Sequence, residues 1–153
     1  MMILGIDPGA SGALVALDEH HEPIEWMRMP VMKEGSATRV NALAVAEFIL
    51  NLPSENIRAY VESVHSMPKQ GVTSSFNFGH SAGVIAGVLA ALEIPTLMVT
   101  PQRWKKRAAL IGTNKDAARS KAIQKWPKWR ELDKIGAGQA YADAAFIAIY
   151  GQE

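Results

Sequence analysis

The chain has 153 residues, of which 48% are hydrophobic and 20% charged, and its formal net charge is +1. This is the composition of a soluble globular protein with enough length for a full core, most simply one domain over residues 1–153. There is no cysteine, which excludes a disulfide framework, a thiolate nucleophile and a zinc–thiolate site; the apolar runs are too short to span a bilayer and no basic, cleavable leader opens the chain, so the expected location is the cytoplasm.

Met2–Ile6 is a short apolar run that stops at Asp7-Pro8-Gly9, the pattern of a strand ending in a turn. Gly12–Leu17 and Ile24–Met29 follow at hairpin spacing across Asp18–Pro23. Residues 30–38 read as a polar loop, with Thr38 as the expected cap of a helix running to Leu50 and stopped by Pro53. Ile57–Glu62 alternates as a strand does, and 63–73 reads as a polar loop. Residues 74–92 form a second expected helix, with Phe76 and Phe78 assigned to the core, and Thr96–Val99 a short strand. Helical pieces are expected from Pro101 and Thr113, and a last helix over Gln139–Tyr150.

Three consecutive strands predict an antiparallel meander, and strands separated by helices pair in parallel. The expected fold is therefore α/β: a mixed five-stranded sheet, a three-strand meander plus parallel strands, flanked by helices.

Alternation places Ile3, Gly5 and Asp7 on one face of the first strand and Arg58, Tyr60 and Glu62 together on the fourth. Both acids end strands expected to be central, where sites in open α/β sheets gather. Asp143 lies in Y-A-D-A-A-F-I-A-I-Y, with Ile147 and Tyr150 one and two turns on, so it shares a face with apolar residues. Three carboxylates set in apolar surroundings repel one another unless cations neutralise them, and hard oxygen ligands suit magnesium or manganese. Taken singly, Asp7 is also explained as the acceptor of its own turn amides and Glu62 as a solvated strand end; an unpaired acid in an Ala/Ile helix is harder to explain by packing.

Residues 100–134 hold eleven Lys/Arg against three Asp/Glu, a local +8 that leaves −7 for the rest of the chain. Trp104, Trp126 and Trp129 share that window. Basic residues interleaved with aromatics suit a nucleic-acid backbone with exposed bases; a solvated helix face with its tryptophans anchored in the core is the equal alternative.

The stretches G-I-D-P-G (5–9), Y-V-E-S (60–63), F-G-H-S-A-G-V-I-A-G (78–87), V-T-P-Q-R-W-K-K (99–106) and A-D-A-A-F-I-A (142–148) recur, in this order over nearly the whole chain, in one family. The sequence resembles the RuvC family of Holliday junction resolvases, particularly its bacteriophage branch. The resemblance implies an RNase H-like fold, a homodimer, and magnesium-dependent nicking of opposed strands at four-way DNA junctions in the host cytoplasm, with manganese as a substitute ion. Carried over by position, Asp7, Glu62 and Asp143 are metal-binding carboxylates and catalytic residues. Lys105 and Lys115 match basic positions near the DNA backbone, Arg103 and Lys106 flank them, and the loop carrying His65 would approach the junction centre. His65 in a solvated loop is the equal reading.

Bacterial members usually carry a fourth acid one helical turn before the last, where this chain has Ala140. A three-acid site, a contribution from Asp133 or Gln139, or a replaced acid each accommodate this departure. It also keeps open a junction-binding protein without cleavage, beside a RuvX-type RNA-processing nuclease. Actin-like ATPases and sugar kinases share the Asp7-type turn but need two related domains. Gly79, Gly83 and Gly87 give the second helix a stripe without side chains, which serves either close packing on the sheet or a dimer contact.

Overall fold

The computed structural model describes residues 1–152. Seven strands and five helices follow one another as β1 (Met2–Asp7), β2 (Ala13–Leu17), β3 (Pro23–Arg28), β4 (Val31–Glu34), β5 (Ala37–Val40), α1 (Ala42–Leu50), β6 (Ile57–Glu62), α2 (Val72–Ala91), β7 (Thr96–Val99), α3 (Pro101–Arg107), α4 (Ala117–Lys125) and α5 (Ile135–Gly151), with a 3-10 turn at Arg130–Asp133 before α5. Five strands make one sheet in the order β3-β2-β1-β6-β7. β1, β2 and β3 pair antiparallel, while β6 pairs parallel with both β1 and β7. The expected mixed sheet and its meander are both present.

The period-2 pattern of the strands sorts the core into two layers. Ile3, Val15, Leu17, Tyr60 and Val99 face α3, α4 and α5. Leu4, Ile6, Leu14, Ala59 and Val61 face the opposite way, with Ile49 of α1 and Ile85 and Leu89 of α2 packed among the same residues. Asp7 and Glu62 fall in step with the first face, so they emerge where α5 crosses the sheet.

Backbone approach fixes that crossing. A Cβ at Gly5 would sit 1.9 Å from the Ala144 carbonyl oxygen and 2.9 Å from Ala148 Cβ. The helix therefore lies directly on β1, and the run of buried alanines at 140, 142, 144, 145 and 148 makes such closeness workable.

Residues 31–40 are not a loop. They form the hairpin β4–β5, in which Val31, Met32 and Lys33 pair with Val40, Arg39 and Thr38. Thr38 is thus a strand residue, and the cap of α1 is Asn41, whose Oδ1 accepts the Ala44 N–H at 3.2 Å. The β-branched residues of 37–40 prefer the pleated pairing to a helix start. α5 begins at Ile135, a turn earlier than expected, because Gly138 closes against the 3-10 turn: a Cβ there would meet the Leu132 carbonyl at 2.3 Å.

The tryptophans of the basic segment are core residues. Trp104, Trp126 and Trp129 are all buried, and Trp126 stacks on Phe146 at 5.7 Å. The positive charges stand outside them, so the aromatic interleaving reflects packing. Phe76 and Phe78 depart from expectation in the other direction, being 60% and 43% exposed. Helix α2 turns Ser81, Ile85 and Leu89 to the sheet, which rolls Phe76 and the glycine stripe outward. Phe78, on the face of Ser81 and Ile85 but nearer the helix start, lies beside the Asp7 turn instead of in the core.

Gly5→Ala should destabilise the protein by about 3 kcal/mol or more, since backbone rather than a flexible side chain blocks the new methyl. Urea unfolding measures this; a midpoint within error of the unsubstituted protein would mean that α5 does not rest on β1.

Candidate active site

β1 and β6 run parallel in the register Ile6↔Val61, so Asp7 and Glu62 close neighbouring strands side by side. α5 supplies Asp143 one residue before the contact with Gly5. The strands and the helix thus bring the three sequence-predicted acids to one end of the sheet.

A tight turn holds Asp7 in place. Its Oδ1 accepts the Gly9 N–H at 3.3 Å. Gly12 comes back so closely that a Cβ there would lie 2.1 Å from the Asp7 carbonyl oxygen. Arg28 of β3 fastens the turn from outside, donating to the carbonyls of Ser11 and Gly12 at 3.1 and 3.4 Å. Glu62 is held by Trp104, whose buried indole N–H donates to Oε2 at 2.5 Å. Asp143 accepts from the Gln139 amide nitrogen at 3.1 Å, one turn earlier on α5.

Burial is the main influence on all three acids and raises each pKa. Glu62 is pushed up to about 7, with Asp7 and Asp143 adding repulsion and the Trp104 bond and Lys105 opposing it. Asp143 rises to about 6 through burial and the charge on Asp7, opposed by Gln139 and Lys105. Asp7 is raised as well, despite its bond from Gly9 and the cations Lys105 and Arg28. Each acid feels at least one other, and Lys105 acts on all three.

Lys105 also joins Lys115, Asn114, Thr113, Trp104, Gln139 and Asp143 around a cavity of about 280 Å³. This recess adjoins Asp143 and offers two cations and neutral donors. The remaining expected residues are placed less centrally. Arg103 is half-buried on α3, Lys106 is exposed beside it, and His65 is exposed in the loop after β6. Ala140 is buried in the core layer under α5, and Gln139 is the residue that meets Asp143. Asp133 pairs with Arg130 at 2.7 Å instead of turning to the acids.

Trp104, Gln139 and Arg28 have roles that the sequence reading did not assign. Trp104 was legible in principle. Thr100 caps α3 immediately after β7, and β7 pairs with β6 in the register Glu62↔Val99. The first inward position of α3 therefore falls beside Glu62.

The donor set is all hard oxygen, which fits magnesium or manganese in kind. The spacing is open: among the described residues, no three His, Cys, Asp or Glu side chains stand close enough to hold an ion as placed. What favours a cation is electrostatic, three desolvated and mutually repelling carboxylates with one lysine among them.

No protein-family model matches the chain, and none of the curated proteins does. Solved structures do match. T. thermophilus RuvC in complex with a Holliday junction substrate aligns with a TM-score of 0.63 at 17% identity, covering 98% of this chain and 91% of that one. A further Thermus thermophilus RuvC structure gives a TM-score of 0.60 at 16% identity, covering 98% of this chain and 92% of that one. The chain has the RuvC fold. Meander, parallel strands and flanking helices correspond over almost the full length, while the low identity leaves the chemistry to be argued from the side chains.

A carboxyl with a higher pKa folded than unfolded holds its proton better in the folded chain, so its stabilising contribution is complete below the unfolded pKa. For Glu62 that contribution is lost as pH rises from about 4.5 through about 7. In metal-free buffer, Glu62→Gln, which keeps an acceptor for Trp104, should raise stability at pH 8 by roughly 1–3 kcal/mol and change little at pH 4. Thermal melts across this range check it; an equal effect at both ends would mean that Glu62 is not desolvated.

Proposed function

We propose that this protein is a structure-selective DNA endonuclease that binds four-way junctions and related branched DNA and hydrolyses their phosphodiester bonds with a divalent metal. The observation that carries this reading is the gathering of Asp7, Glu62 and Asp143 at one end of a RuvC-fold sheet, beside a recess bearing Lys105 and Lys115. Asp7, Glu62 and Asp143 would hold the metal, magnesium or manganese. When bound, such ions supply an activated water and neutralise charge on the phosphate.

The chain's own residues prepare that chemistry. Lys105 and Lys115 draw a phosphate to the recess and offset the acids' repulsion of it. Trp104 holds Oε2 of Glu62, which leaves Oε1 as the freer oxygen. Gln139 restrains Oδ1 of Asp143 in the same way. Arg28 keeps the Asp7 turn from opening when charge builds up beside it. Phosphate contacts of this kind position a duplex without reading its bases.

Two symmetric incisions require two sites related by a two-fold axis, so the acting species is a homodimer in this reading. The outward stripe of Gly79, Gly83 and Gly87 supports it: a Cβ at any of the three would meet nothing within 4 Å, so the surface is free for a second backbone.

A second reading, junction binding without cleavage, is favoured by one observation. Asp143 is met by a neutral amide, Gln139, and not by a further acid. Cleavage separates the two. Asp7→Asn should lower magnesium-dependent nicking of a synthetic four-way junction at least about a hundredfold while affinity persists or rises. An unsubstituted protein that binds but never nicks selects the second reading, and undiminished nicking by Asp7→Asn removes Asp7 from the mechanism.

The double substitution Lys105→Ala/Lys115→Ala should reduce the salt dependence of junction binding, lowering the slope of log K against log salt by about 2 if each lysine neutralises one phosphate. Affinity titrations at several salt concentrations measure the slope, with thermal unfolding as the control. A normal melting temperature with an unchanged slope would move the DNA surface elsewhere.

A further inference from the structure

On the other side of the Asp7 turn lies a second and larger cavity, about 670 Å³. This is within the 300–1,000 Å³ range of small-molecule sites. Asp7 and Gly12 form one wall, Thr38 of β5 another, and Asn77, Phe78 and Ser81 of α2 the third. We propose that this cavity receives an unpaired nucleobase of the branched DNA, next to the phosphate held at the acids.

The lining decides the ligand class. Asp7 is its sole charged residue among those described, so no cation there awaits a phosphate or carboxylate. The other polar groups are neutral hydroxyls and amides, which match the mixed donors and acceptors of a base edge. Ser81, 5% exposed, lines the cavity from α2 and brings a hydroxyl to its wall. A hydroxyl in such a wall both donates and accepts, so it can meet either kind of group on a base edge.

Asn77 is pre-oriented. Its Oδ1 accepts from Arg39 at 2.6 Å, leaving the NH₂ group for the cavity, and Arg39 is itself anchored by Glu34 at 3.1 Å. The β4–β5 hairpin is thereby fastened to α2 and holds the wall shut. Phe78 supplies an aromatic face at the cavity rim, 43% exposed, with its ring edge close to Gly9 of the Asp7 turn. Exposed aromatics beside a nucleic-acid track stack on bases, whatever their identity, while neighbouring hydrogen-bonding groups add preference. Stacking is already interrupted at a branch point, so extruding a base costs least there.

The inference rests on the junction-binding reading, and one titration distinguishes failure of the two. Four-way junctions, each with a single abasic site at a successive position near the branch point, are bound to the protein in chelator, with plain duplex as reference. One position should weaken binding about tenfold. That penalty should vanish in Phe78→Ala and shrink in Ser81→Ala, and Phe78→Trp should retain it. Melting temperatures of the three variants, measured beside binding, separate a lost base contact from a lost fold. Junction preference with a flat abasic scan, or a penalty unaltered in both alanine variants, overturns the base pocket alone. No preference for junction over duplex overturns both readings.

Discussion

The site depends on one packing constraint: α5 touches β1 with no side chain between them at Gly5. That contact sets the height of the helix over the sheet, and with it the position of Asp143 relative to Asp7. A larger residue would lift α5 by the thickness of a methyl group, and the rest of its buried alanine face could not follow. The carboxylates are therefore spaced by backbone contact between a strand and a helix, which is stiffer than any arrangement of side chains alone.

On that frame the charges are arranged to remain unsatisfied. Burial raises all three acids, and the neutral donors Trp104 and Gln139 restrain their oxygens without cancelling their charge. Lys105 is the cation whose charge acts on all three, yet it stands on the exposed face of α3 rather than in a buried pair. An arrangement meant only to stabilise the fold would have closed these acids into ion pairs, as Arg119 and Asp116 are closed at 2.6 Å on α4.

The sheet and the convergence of Asp7, Glu62 and Asp143 were legible because strand alternation and helical spacing are local rules, and both acids on strands lie in phase with Ile3 and Tyr60. Tertiary partners were less legible. Thr38 looked like a helix cap until its pairing with Lys33 was known, and no local pattern announces a two-stranded hairpin of four residues a side. Phe76 and Phe78 read as core because they are apolar, but the rotation of α2 set by Ser81, Ile85 and Leu89 turns Phe76 outward, and Phe78 falls beside the Asp7 turn, short of the core. The tryptophans of the basic segment were equally ambiguous, since sequence does not say which side of a short helix faces inward. By sequence Gln139 is a candidate substitute ligand, and its hydrogen bond to Asp143 is a side-chain detail that the spacing alone does not specify.

The first and last of the three acids, residues 7 and 143, are 136 positions apart, and the helix that completes the cluster follows every strand of the sheet. Closing β1 against α5 is among the longest-range contacts the chain can make, and such closures come late because their loop entropy must be overcome first. During vectorial synthesis the sheet's edges and meander can pair while the third carboxylate is still inside the ribosome. Any reactivity that needs all three is thus withheld until α5 has been made and has docked on β1.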